Sequence, residues 1–152
     1  MNRNNILLGV FYCDVKAGMM DMESPDMERL TREIRRACKG YLDQVGFALF
    51  FGSTSEGYAT PISDVDLAIY YLGTPPEAFQ FLKVVSGRLD AQYDVKIFQL
   101  LPLYVQVEAV KGRLLFGDEA LLYEVATATV REYEAFKPKY LDYIRPYTEV
   151  SE

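Results

Sequence analysis

Apolar residues in this chain fall in short runs whose spacing changes from strand-like to helical and back. Ile6 to Tyr12 is a continuous apolar run and predicts a strand, followed by a loop from Val15 to Glu23. Ser24 has the character of an N-cap, with Pro25 in the first helical position and Asp26 behind it. Met27, Leu30, Ile34, Cys38, Tyr41 and Val45 then recur at helical spacing, which predicts a helix to about Asp43. Gly46 to Phe51 and Asp66 to Leu72 are short apolar strands, and Tyr93 to Gln99 alternates well enough to be a third. Between the last two, Pro75 and Pro76 open a helix carrying Phe79, Leu82, Val85 and Leu89. Pro102 starts a short helix that Gly112 closes, and Leu114 to Phe116 forms a small strand. From Asp118 a long helix runs toward Phe136, with a kink or break expected before Pro138 and a further stretch to Tyr143.

Strands alternating with helices predict an α/β (α+β) fold in which the segments 46–51, 66–72 and 93–99 lie side by side in the centre. No repeat or Pro/Gly/Ser linker divides the chain, so one domain spanning 1–152 is expected. It would comprise an extra N-terminal strand and loop (1–23), a core (24–117) and a C-terminal helical segment (118–152). The direction of each strand, and therefore whether their ends meet, does not follow from the pattern.

Composition narrows the chemistry. Half of the residues are hydrophobic and a quarter charged, as in an ordinary globular protein. The net charge of -6 argues against general nucleic-acid binding or an anionic membrane surface. The run from Ile6 to Cys13 is too short to span a bilayer, so a cytoplasmic protein with no membrane role is expected. The two cysteines, Cys13 and Cys38, make neither a disulfide framework nor a thiolate zinc site. The absence of histidine removes Ser-His-Asp and Cys-His catalysis, and any metal must take oxygen ligands.

The stretch 49–72, LFFGSTSEGYATPISDVDLAIYYL, concentrates the unusual chemistry. Asp64 and Asp66 open a strand and project to the same face, where two unpaired carboxylates destabilise each other. A divalent cation between them would remove the conflict, with Asp94 as a third carboxylate from a neighbouring strand. The plainer reading is a turn in which one aspartate caps and the other is solvated. Gly52 allows a sharp turn and close approach of a ligand, and the Ser53 hydroxyl with the loop amides suits phosphate oxygens. An ordinary turn would also account for Gly-Ser. No lysine follows in the P-loop pattern.

Gly52-Ser53, ten residues, then Asp64-Val65-Asp66 resembles the signature of the polymerase-beta-like nucleotidyltransferases. Gly57, Pro61 and the SDVDLAI segment at 63–69 fit the same pattern, and Asp94 in YDVKIF resembles its third acidic strand. The segment 107–119, VEAVKGRLLFGDE, is similar to that of the minimal nucleotidyltransferases, the antitoxin partners of HEPN-domain toxins. The resemblance covers roughly 25–140 and implies a mixed central sheet with helices mainly on one face. It implies two magnesium ions on Asp64, Asp66 and Asp94, and ATP held by Gly52, Ser53 and the adjoining Thr54. It further implies transfer of AMP from ATP to a tyrosine hydroxyl of a HEPN ribonuclease toxin. Where many members carry an arginine after Gly-Ser, this chain has Thr54-Ser55-Glu56, whose negative charge would need a partner such as Arg88 or Lys96. Two alternatives stay open: an antitoxin that masks its toxin by contact alone, and transfer to a small molecule.

Two surfaces complete the reading. Arg29, Arg32, Arg35, Arg36 and Lys39 share the first helix with Glu28 and read as a solvated, partly paired face rather than a phosphate- or RNA-facing patch. Tyr133, Phe136, Tyr140 and Tyr143 form a stripe that packs on the sheet or faces a helical partner. The N-terminal strand either extends the sheet or pairs with another chain in an oligomer.

Overall fold

The computed structural model describes residues 25–51 and 65–148, with side chains over 27–51 and 65–139. Within them run α1 (Pro25–Ala37), β1 (Val45–Phe51), β2 (Val65–Tyr71), α2 (Pro75–Arg88), β3 (Tyr93–Ile97), α3 (Leu103–Val110), β4 (Arg113–Gly117) and α4 (Glu119–Thr148). The four strands form one mixed sheet in the order β3-β2-β1-β4, so β3 lies at an edge rather than in the centre, because β4 pairs with β1 on the other side. β1 is antiparallel to both β2 and β4, and β2 is parallel to β3. The parallel pair follows from its connection: a 14-residue helix carries the chain back along the sheet so that β3 starts beside the start of β2. Thr74 caps that helix, its hydroxyl accepting from the Glu77 N–H at 3.4 Å.

The sheet is apolar on both faces, and each face is covered. Ala48, Phe50, Leu67, Ile69, Val95 and Ile97 pack against α1 and α2 through Ile34, Phe81 and Val85. On the opposite face Phe47, Leu49, Phe51, Ala68 and Phe98 pack against α3 and α4 through Ala109, Val110, Leu122 and Ala126. The mixed sheet matches the expected class, but its helices are shared between the faces rather than gathered mainly on one. The reason is β1, whose seven residues are all buried, so neither side of the central strand is left to water.

Three boundaries differ from the pattern. α1 stops at Ala37 instead of running to Asp43, because Gly40 takes φ +92 and breaks the helical path. The freed carbonyls are capped from afar: the Arg88 guanidinium donates to the Ala37 and Lys39 carbonyls at 2.9 and 2.8 Å. β3 ends at Ile97, and the Gln99 side chain takes over its role, accepting from the Tyr71 N–H at 3.2 Å and donating to the Tyr71 carbonyl at 2.5 Å. α4 begins where expected, with the Asp118 carboxylate accepting from the Leu121 N–H at 3.1 Å. It then runs without a break through Pro138. Pro138 is exposed there, so the carbonyl it leaves unbonded within the helix lies on a wet surface. The Ser24 cap and the strand predicted at Ile6–Tyr12 lie outside the described residues.

The surface readings resolve in part. Arg29 pairs with Glu33 at 3.0 Å, and the Arg35 guanidinium sits 5.0 Å from the centre of the Phe116 ring. The helix-1 cations therefore serve packing and local pairing at two positions. Tyr133 is half-buried and Phe136 exposed, so the aromatic stripe leaves the core along α4; the side chains of Tyr140 and Tyr143 lie outside the described residues. Cys38 is fully buried, and burial pushes its thiol up to about 11 despite the opposing charge of Arg88.

The start of β3 is tied to α1 by the Tyr93 hydroxyl, which donates to the Glu33 carboxylate. That bond, with the Arg29 pair behind it, holds the Glu33 carboxyl below the usual carboxylate range. Burial, and then the same bond, push the Tyr93 phenol up. A depressed carboxyl contributes stability that is present above its unfolded value and lost as pH falls through its folded one. The stability difference between the wild type and Tyr93→Phe is therefore expected to be constant near neutrality. It should shrink as pH falls below the ordinary glutamate value of 4.5, as read from urea midpoints across that range.

A second expectation concerns two glycines. An added Cβ at Gly112 would lie 2.3 Å from the Phe50 carbonyl oxygen, so Gly112→Ala should cost about 1–3 kcal/mol by forcing β4 from β1. At Gly87, inside α2, the same Cβ meets nothing within 4 Å, and Gly87→Ala should stabilise by up to about 1 kcal/mol. Urea midpoints at unchanged slope check the opposite signs.

Candidate active site

The sheet topology brings three chain segments to one row. Phe51, the last residue of β1, pairs with Asp66 on β2, and Asp66 pairs with Asp94 on β3. Paired residues on neighbouring strands project to the same face, so the two carboxylates stand side by side at one rim of the sheet. The parallel β2–β3 pairing decides this point, since an antiparallel β3 would have carried Asp94 to the far end. The Val65 N–H donates to the Gln92 carbonyl at 2.8 Å, which fixes the register ahead of the first strand pair. Gly52 is bonded to Phe51 and Asp64 to Val65, so the motif loop leaves from and returns to this rim. Gly52, Ser53, Thr54 and Asp64 themselves lie outside the described residues, as do Ser55 and Glu56.

Beneath the carboxylates the face is packed. Ala68 follows Asp66 on the same side and is fully buried. Tyr70 and Phe98 come next, and with Phe47 they form a ring cluster with centroids 5.0 to 6.1 Å apart. This floor holds the backbone of β2 and β3 rigid below the rim, while Asp66 is half-buried and Asp94 exposed.

Lys96 supplies the local countercharge. Its ammonium lies 3.1 Å from Asp94 Oδ2 and 4.0 Å from Asp66 Oδ1, so one cation faces both carboxylates. The sequence reading offered Lys96 as a partner for Glu56 and did not connect it with the aspartates. The signal was present in the alternation: Lys96 is two residues beyond Asp94 and so shares its face. Arg88, the other cation suggested for Glu56, is occupied at the end of α1. The donor set suits a hard divalent cation: carboxylate oxygens only, on adjacent strands, in a chain with no histidine.

A groove of about 360 Å³ opens on the opposite face of β3, lined by Glu33, Arg36, Arg88, Leu89, Asp90 and Tyr93. It is separated from the carboxylate pair by the strand itself.

Among the described residues no helix is long and apolar enough to cross a membrane. Comparison with known proteins agrees with the fold and the motif. A family model described as "Polymerase beta, Nucleotidyltransferase" matches residues 32–120. A Methanocaldococcus jannaschii protein that carries the name protein adenylyltransferase is 35% identical over 77 residues, 50% of this chain and 59% of that protein. The chain thus spans little more than half the length of this relative. Among solved structures, a toxin-antitoxin crystal structure with AMP-PNP aligns over 78% of this chain and 98% of its own, at 17% identity and a TM-score of 0.66. A structure of a tri-AMPylated Shewanella oneidensis HEPN toxin in complex with MNT antitoxin aligns over 80% and 98%, at 16% identity and a TM-score of 0.62. The structural likenesses establish a shared fold, and the family model spans more than half of the chain. This chain belongs to the polymerase beta nucleotidyltransferase family.

Proposed function

We propose that this protein is a magnesium-dependent nucleotidyltransferase that moves AMP from ATP to a hydroxyl, the acceptor being a tyrosine of a HEPN-domain toxin. The observation that carries the reading is the row Phe51–Asp66–Asp94, which sets two carboxylates beside the exit of the Gly52-Ser53 loop. The acceptor and its protein class rest on likeness: the M. jannaschii relative is named for protein adenylyl transfer, and a structural neighbour contains an AMPylated HEPN toxin.

In this reading Asp64, Asp66 and Asp94 hold the magnesium ions, while Gly52, Ser53 and Thr54 hold phosphate oxygens of ATP. When bound, the ions neutralise the triphosphate and lower the pKa of the attacking hydroxyl. The acceptor oxygen forms a bond to the α-phosphorus as the bond to the β-phosphate oxygen breaks, and pyrophosphate leaves. The acceptor proton passes to a carboxylate oxygen of Asp94. The packed Ala68–Tyr70–Phe98 floor fixes the carboxylates, so that positioning and charge neutralisation supply most of the rate.

Asp66→Asn should fold normally, because it removes one of two like charges at a rim. It should lose at least about two orders of magnitude of transfer, the scale for removing one preorganised charge-stabilising group. The check is the intact mass of a HEPN-domain toxin after incubation with ATP, magnesium and either protein. Gain of AMP units with the wild type alone supports the reading. Equal modification by Asp66→Asn rejects the site, and a stable complex without added mass points to masking by contact.

A further inference from the structure

Lys96 is the feature of the site that the reaction scheme leaves unused. Its register partner on β2 is Ala68, a residue with only a methyl side chain. A lysine stem here has room to bend along the face, and the ammonium reaches back to the rim between Asp94 Oδ2 at 3.1 Å and Asp66 Oδ1 at 4.0 Å. The Arg29–Glu33 pair lies within α1 at four-residue spacing, and Glu108–Lys111 joins the end of α3 to the residue that follows it. Lys96 instead lies on β3, next to the register pair of carboxylates Asp66 and Asp94, and faces both across two strands.

We propose that Lys96 is a tethered, displaceable counter-ion that competes with divalent metal for Asp66 and Asp94. This inference rests on the metal-site reading given above. Without an ion the ammonium relieves the repulsion between the carboxylates and keeps them aligned. An ion arriving alone must displace it and leave the ammonium without its acid partners. An ion arriving with a nucleotide brings phosphate oxygens that offer Lys96 a new partner. Metal loading is thereby favoured together with nucleotide and disfavoured without it. The Lys96 side chain is 41% exposed and those of its partners Asp66 and Asp94 are 28% and 49% exposed, so water weakens the contest. The competition is correspondingly modest, about two- to five-fold in metal affinity, the scale of partly exposed ion pairs.

The test is Mn2+ binding to the full chain without nucleotide, measured by calorimetry at low ionic strength, for the wild type, Lys96→Met, Lys96→Arg and Asp94→Asn. Lys96→Gln serves in place of Lys96→Met if the latter does not fold. Lys96→Met should bind Mn2+ about two- to five-fold more tightly than the wild type, whereas Lys96→Arg should stay near it. Adding a non-hydrolysable ATP analogue should erase or reverse the advantage of Lys96→Met. Unchanged or weaker binding by Lys96→Met, while Asp94→Asn loses the ion, overturns the counter-ion role and leaves the metal site intact. Equal binding by Asp94→Asn and the wild type overturns the metal-site reading, and the counter-ion role with it.

Discussion

The parallel pairing of β2 with β3 is the constraint on which the site depends. It puts Asp66 opposite Asp94, and the antiparallel partner β1 puts Phe51 in the same row. A reversal of β3 would separate the carboxylates by the length of the strand. A one-residue slip would turn Asp94 to the other face. The pairing is enforced from both ends. The Val65 N–H bond to the Gln92 carbonyl sets the beginning, and the Gln99 side chain clasps Tyr71 past the end. The hydrophobic cost of moving Leu67, Ile69, Val95 and Ile97 out of the core on the opposite face resists any other register.

Such rigidity lets a conflict of charge persist at the rim. Two carboxylates on a flexible loop would drift apart, but here Asp66 stands on a strand buried between two layers, and Asp94 on a strand held by its apolar face and its pairing with β2. Lys96 answers part of the conflict within the protein itself, and a divalent cation would answer more of it. The same face grades from charged at the rim, through Ala68, to the aromatic cluster of Phe47, Tyr70 and Phe98. The position of the chemistry follows from that gradient: polar groups sit where water and substrate can reach, and apolar groups sit where strand geometry must be fixed.

β1 and β2 were legible as compact apolar runs and β3 as an alternating one, and they fall within one or two residues of 46–51, 66–72 and 93–99. The starts of α2 and α4 were legible because Pro75 and Asp118 are local signals. The hidden features are tertiary. α1 ends early at a glycine with positive φ, and its cap comes from Arg88, some fifty residues away in the chain. The second helical layer follows from the two-sided burial of β1, which a continuous apolar run allows but does not require. Pro138 was read as a kink or a break, and α4 runs on through it without a break, on an exposed surface. Of the site, Asp66 and Asp94 were legible as residue types and their meeting was not, since strand direction decided it. The part played by Lys96 was encoded in the period of two from Asp94 and became visible only once the two strands were paired.

In the proposed site Asp66 and Asp94 would share a divalent cation when nucleotide is bound. Anomalous diffraction from crystals grown with Mn2+ and a non-hydrolysable ATP analogue tests it directly. A shared ion would give a manganese peak within coordination distance of carboxylate oxygens from both aspartates, with the Lys96 ammonium moved away from between them. A bound nucleotide with no peak at this rim, or with its ion held elsewhere in the fold, would contradict it.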